Sequence, residues 1–164
     1  MGKNKQGVIF SGQSTRKEKD QVNQEISKLD KLVDRSQNIL YRIKAVFPFN
    51  FFTDEIIIDA SKVNVIRRIF VKTGNVRSVT YEDIFEVSVN YSLFFATLEV
   101  ADRFFQEAPI IINYLKKSEA LKARRIIQGM LIALKEKVQI DQIENKILIN
   151  KLEELGKARE AGAF

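Results

Sequence analysis

Residues 84–100 read IFEVSVNYSLFFATLEV, and the fold turns on how that stretch is parsed. Val87, Val89 and Tyr91 alternate with Glu86, Ser88 and Asn90. A second alternation then sets Phe94, Ala96, Leu98 and Val100 against Phe95, Thr97 and Glu99. Period two means two half-buried strands, because successive side chains of a strand point to opposite faces. Moving toward the N-terminus, Val76–Tyr81 forms another strand behind the turn Lys72-Thr-Gly-Asn75, where Gly supplies a positive φ. Before it, Val63, Val65, Ile69 and Val71 alternate, and Glu55-Ile-Ile-Ile-Asp59 is a short strand. Moving toward the C-terminus, Ala101-Asp102 turns into Arg103-Phe-Phe105, and Pro109 precedes Ile110–Tyr114. The reading is seven short antiparallel strands with tight connections, as in a barrel or sandwich spanning 48–138 with its capping helix.

Helical periodicity flanks this block. From about Ser118, Ala120, Ala123, Ile127, Met130, Leu131, Leu134 and Val138 share one face, a helix suited to cap an open barrel. A last helix within 139–164 is expected from Asp141 as N-cap, with Ile143, Ile147, Leu148, Leu152, Leu155 and Ala158 in a stripe and Gly156 weakening its end. On the other side, Val22, Ile26, Leu29, Val33, Ser36, Leu40, Ile43 and Phe47 are spaced alternately by four and three. That is a heptad seam with Ile26, Val33, Leu40 and Phe47 at a and Val22, Leu29, Ser36 and Ile43 at d. It predicts one helix over 21–47, halted by Pro48. Residues 1–20 are polar and aperiodic, a basic tail.

Composition narrows the chemistry. The 164 residues include no Cys, His or Trp. Disulfides, zinc sites built on Cys or His, thiol nucleophiles and His-based triads are therefore excluded. Gly is scarce, and neither a G-x-G-x-x-G nor a Walker loop occurs, so nucleotide chemistry lacks support. Asp54-Glu55 and Glu82-Asp83 are sequence neighbours whose side chains diverge, unlike a paired acid-base site. No run of 18 apolar residues and no signal-peptide pattern is seen, which predicts a cytoplasmic protein, with the inner face of the membrane as one location to consider.

Charge is unevenly spread within a net +6: residues 1–47 carry 10 basic and 5 acidic side chains, 48–115 carry 6 and 9, and 116–164 carry 11 and 7. Lys116, Lys117, Lys122, Arg124 and Arg125 form the densest basic patch, a candidate contact with an anionic surface or simply a solvated helix face. Phe47, Phe49, Phe51 and Phe52 around Pro48 could insert into a membrane interface, but they better suit a plug that docks the long helix on the core. Nucleic acid is disfavoured as a partner, because Glu99 lies near Phe95, and Glu82 and Asp83 beside Tyr81, where phosphate would run.

Arg77-Ser-Val-Thr-Tyr-Glu-Asp-Ile84, followed by Glu86-Val-Ser-Val89, resembles the bacterial pleckstrin-homology (PH)-like families, in which such a motif leads into an alternating strand. The resemblance covers roughly 49–137. It implies an α+β fold in which a seven-stranded barrel or sandwich carries a C-terminal helix, and a binding or assembly role with no shared catalytic residue. Where eukaryotic PH domains place a basic phosphoinositide cluster, the matching positions hold Asp59-Ala-Ser-Lys62 and then Arg67 and Arg68, a poor phosphate cradle.

The resulting expectation is a non-enzymatic module without cofactor, metal or small-molecule substrate. It would form a homo-oligomer or hold a protein partner through Val22, Ile26, Leu29, Val33, Leu40, Ile43 and Phe47. The alternative is a peripheral membrane module that contacts anionic lipid through its basic helices.

Overall fold

The computed structural model describes residues 14–46, 54–70, 73–103 and 108–161. The chain divides into two compact units, Met1–Asp34 and Arg35–Phe164. Helix α1 (Ser14–Gln37) supplies the described part of the first unit and ends inside the second.

The second unit is α+β. Strands β1 (Ile39–Lys44), β2 (Glu55–Asp59), β3 (Lys62–Phe70) and β4 (Thr73–Thr80) form one antiparallel sheet in chain order. Strands β5 (Ile84–Tyr91), β6 (Phe95–Asp102) and β7 (Ile110–Lys116) form a second. Polar contacts tie the two sheets together. The Val46 N–H donates to the Tyr114 carbonyl at 2.8 Å, and the Arg77 guanidinium lies 3.6 Å from the Asp102 carboxylate. Helix α2 (Lys117–Lys135) follows β7 without a linker, and α3 (Asn145–Ala161) packs against it.

The seven strands are present, but the set differs from the one read in the sequence. Of the expected segment 103–105, Arg103 lies in a turn and the other two residues fall outside the described residues. The first strand comes instead from residues assigned to the long helix, which stops at Gln37, ten residues before Phe47. A bulge explains the misreading. Ile39 pairs with Asp59 and Tyr41 with Ile58, leaving Leu40 as an extra residue. The bulge puts Leu40 and Ile43, three apart, both in the core, and a spacing of three in a buried pair imitates a helix. Ser36, the polar member of the expected seam, marks where helical pairing ends: its hydroxyl accepts a hydrogen bond from Lys62 Nζ at 3.1 Å.

The inward faces of the sheets bring Ile56, Ile58, Val63, Leu98, Val100 and Ile112 together, and α2 closes over them with Ala120, Ala123, Ile126, Ile127 and Met130. Each fully buried large aliphatic side chain contributes about 1.5–3 kcal/mol relative to exposure. Val138, placed in the same stripe by the sequence, is exposed because α2 has already ended. Its end is a Schellman motif, with the Val138 N–H bonded to Ala133 O, the Lys137 N–H bonded to Leu134 O, and Lys137 at φ 54°.

Two expectations about α3 change. Asp141 is not its N-cap: the helix starts at Asn145, and the Asp141 carboxylate sits 2.9 Å from Arg35 Nε. Gly156 is no weak point either. A Cβ there would fall 2.1 Å from the Arg125 carbonyl oxygen, and one at Gly129 would fall 2.1 Å from that of Leu152. The two glycines let the backbones of α2 and α3 touch. Leu148 and Leu152 of α3 are buried beside them, whereas Ile147 and Leu155 are exposed.

Candidate interaction surfaces

In the first unit, the α1 positions Val22, Ile26, Leu29 and Val33 keep the four-three-four spacing that aligns them on one face. Their exposures are 56, 49, 60 and 51%, and Leu32 beside them is 55% exposed. Lys28 and Glu25 form an ion pair at 2.7 Å elsewhere on the helix. The remaining residues of the expected seam are not with them. Leu40 and Ile43 belong to β1 and the core of the second unit, and Phe47 lies outside the described residues, as do Phe49, Phe51 and Phe52.

The basic patch splits into two groups with different work. Lys122 and Arg125 converge on the Glu153 carboxylate of α3, at 3.3 and 3.9 Å, and Arg124 Nε donates to the Val87 carbonyl of β5 at 3.3 Å. These three hold α2 to its neighbours. Lys122 Nζ also lies 5.5 Å from the centre of the Tyr41 ring. Burial, then the nearby charges of Glu119 and Glu153, raise the Tyr41 pKa above its ordinary value. Lys116 and Lys117 stand at the junction of β7 and α2. Lys116 Nζ reaches Glu119 at 3.3 Å, while Lys117 Nζ lies 4.1 Å above the Tyr91 ring.

A third cluster was not legible in the sequence, because its members come from three strands. Glu55 is buried, and its carboxylate meets Arg42 Nε at 3.2 Å, Arg68 at 3.7 Å and Lys44 at 3.9 Å. Asp54 takes the Arg68 N–H at 3.3 Å and lies 3.8 Å from Arg67 Nε. Arg67 further donates to the Ile111 carbonyl at 2.8 Å, joining β3 to β7. Adjacent in sequence, the two carboxylates are served by different cations, so they form ion pairs and not a shared acid-base site. The sequence carries one trace of this cluster, Arg67, which occupies the place an apolar residue would take between Val65 and Ile69 in the alternation of Val63, Val65, Ile69 and Val71.

The turn between β2 and β3 is closed on itself. Asp59 Oδ1 accepts from the N–H groups of Ser61 and Lys62 and from the Ser61 hydroxyl, and Oδ2 accepts from Asn64. Those donors are spent on a carboxylate, which leaves them none to offer a phosphate. The buried Tyr81 hydroxyl donates to the Asp59 carbonyl at 2.6 Å, and burial followed by the Asp59 charge pushes its pKa upward.

At the end of the second sheet, the turn between β5 and β6 carries Leu93 and Phe94 at 77 and 71% exposure, with Tyr91 at 57%. Beside it a cleft of about 540 Å³ is lined by Asn90, Tyr91, Ser92, Thr97, Asn113 and Tyr114, among others. Asn113 and Tyr114 form a bulge in β7 opposite Thr97, and Tyr114 adopts φ 59° there.

Among the described residues, no group of three or more Asp or Glu side chains is placed to hold a metal ion, and no helix is long and apolar enough to cross a membrane. Comparison of the chain with known protein families, curated proteins and solved structures returns no match.

Proposed function

We propose that the protein is a non-enzymatic assembly module of PH-like type that pairs with a second copy of itself through α1. The observation that carries this reading is the row Val22, Ile26, Leu29 and Val33, each about half exposed or more along one helical face. A single helix of this length is marginal in water, and helices in proteins owe most of their stability to packing of the apolar face. The residue types suit a two-stranded pairing: Ile26 and Val33 are β-branched at a, and Leu29 stands at d, the combination that favours parallel dimers. The resemblance of residues 77–89 to bacterial PH-like families supports a module that binds rather than catalyses. So does the way the charged clusters of the second unit are engaged with one another.

The test is the mass of the full chain by light scattering at micromolar concentration, beside the double substitution Leu29→Asp with Val33→Asp. A dimer that becomes a monomer on substitution, with loss of helical circular dichroism, is the expected result. A wild-type monomer throughout that range would remove the proposal. The second reading, lipid contact through the basic helices, gains nothing from Lys122, Arg124 and Arg125, whose partners lie within the fold.

A further inference from the structure

The turn between β5 and β6 combines features that no part of the α1 reading uses, and this inference does not rest on that reading. Leu93 and Phe94 are among the most exposed large apolar residues described in the chain, and they are adjacent at the tip of a tight hairpin. Part of the backbone around that tip is paired within the fold. The Ser92 N–H donates to the Phe95 carbonyl at 2.8 Å, its hydroxyl donates to the same oxygen at 3.2 Å, and the Lys117 N–H donates to the Phe94 carbonyl at 3.3 Å. Each group paired in this way lowers the cost of bringing the tip up to an apolar phase, and the remaining backbone groups restrict the contact to the hydrated outer part of a bilayer.

The surroundings are graded in polarity. Tyr91 stands at the foot of the tip, an amphipathic ring of the type enriched where bilayer meets water. Lys117 sits over that ring, and Lys116 pairs with Phe95 across the strands. Glu119 is the acidic partner of Lys116 at this junction, so two cations face one carboxylate.

From this arrangement we infer that the β5–β6 tip is a membrane anchor: Leu93 and Phe94 enter the outer part of an anionic bilayer while Lys116 and Lys117 meet the headgroup phosphates. Two adjacent side chains fall far short of the roughly 800 Å² per partner that a stable protein interface covers, which argues against a second protein as occupant. They suit shallow insertion, in which a small apolar element and a few cations act together. The neighbouring cleft presents neutral amides and hydroxyls from Asn90, Ser92, Thr97 and Asn113 and no cation. Attraction is therefore to surface charge and not to one particular headgroup.

The experiment is co-sedimentation of the full chain with phosphatidylcholine vesicles, with and without added phosphatidylserine or phosphatidylglycerol, at low and high salt. Expected is salt-sensitive binding to both anionic mixtures and little to phosphatidylcholine alone. Leu93→Ser with Phe94→Ser lowers the partition coefficient by about tenfold or more with an unchanged melting curve, because neither side chain is in the core. Lys116→Gln and Lys117→Gln each cost roughly fivefold, the factor that corresponds to one cation near such a surface. Three outcomes overturn the inference: no vesicle binding at low salt, binding indifferent to the Leu93 and Phe94 substitutions, or substitutions there that lower the self-associated mass and leave vesicle binding intact. The last would make the tip a contact between chains. Because vesicle partition and solution mass are read separately, failure here and failure of the α1 dimer are distinguishable.

Discussion

Helices α1 and α3 carry apolar stripes of similar spacing and meet opposite fates. In α3, Leu148 and Leu152 are buried, and Gly156 presses against the backbone of α2. In α1, Val22, Ile26, Leu29 and Val33 stay about half exposed. The difference teaches that periodicity tells which face of a helix is sticky and says nothing of what covers it. The added information in α3 is a pair of glycines, which removes the side-chain layer and lets two helix backbones meet. No such small residue interrupts the α1 row from Val22 to Val33, whose bulky a and d positions suit interdigitation with a partner helix at ordinary distance.

The contrast is broken most forcefully from the α3 side. Gly129→Val or Gly156→Val must push α2 and α3 apart, since even a Cβ would stand 2.1 Å from a carbonyl oxygen. The expected loss is roughly 3 kcal/mol or more, read as a fall in thermal midpoint of roughly 10 °C for a chain of this size. On the α1 side, Leu29→Asp with Val33→Asp places charges in a seam that would be desolvated on pairing, weakening association by about 2–3 kcal/mol or more. Sedimentation equilibrium reports the change, and the main melting transition, which belongs to the second unit, stays in place.

Smaller effects calibrate the second unit. Tyr81→Phe removes a buried hydrogen bond to the Asp59 carbonyl and should cost about 1 kcal/mol by denaturant unfolding. It also has a pH signature. Burial and the Asp59 charge raise the folded-state pKa above the ordinary 10.0. The folded chain then holds this proton more tightly than the unfolded chain, so the stability linked to it is complete below about pH 10 and is lost as pH rises toward the folded value. Tyr81→Phe should flatten the decline of stability above pH 10. The smallest change is a gain: Lys137→Gly relieves the left-handed φ of 54° at the end of α2 and should add about 1 kcal/mol, seen as a higher urea midpoint.

Most of the β architecture was legible because β6 and much of β5 keep a period of two and the other strands are short runs rich in Val and Ile bounded by turn residues, and α2 was legible because Ala120, Ala123, Ile127 and Met130 keep a period of 3.6. The failures have particular causes. Leu40 and Ile43 continue the heptad of α1 by coincidence with a bulge, so local pattern favoured a helix where pairing with β2 decided for a strand. Asp141 has the chemistry of an N-cap, yet Arg35, more than a hundred residues away, claims it. Gly156 read as a defect because its contact is with a helix that the sequence does not place beside it. Candidate surfaces divide in the same way. The α1 row up to Val33 could be read directly, whereas the ion pairs around Glu55 and the exposed tip at Leu93 and Phe94 appear only once strands are in register.

The bulge in β1 bears on how the chain tolerates changes in length. Pairing is regular from Tyr41 to Lys44 and resumes at Ile39 with one residue to spare, so the strand holds a single unit of slack. A deletion of Leu40 could be absorbed by healing the bulge, with Arg42 and Lys44 still facing Glu55 and the loss confined to one core side chain. The same deletion inside β2, which pairs with β3 without any irregularity, would turn every following side chain to the opposite face. Neighbouring strands of one sheet thus differ in whether they can lose a residue and remain the same strand.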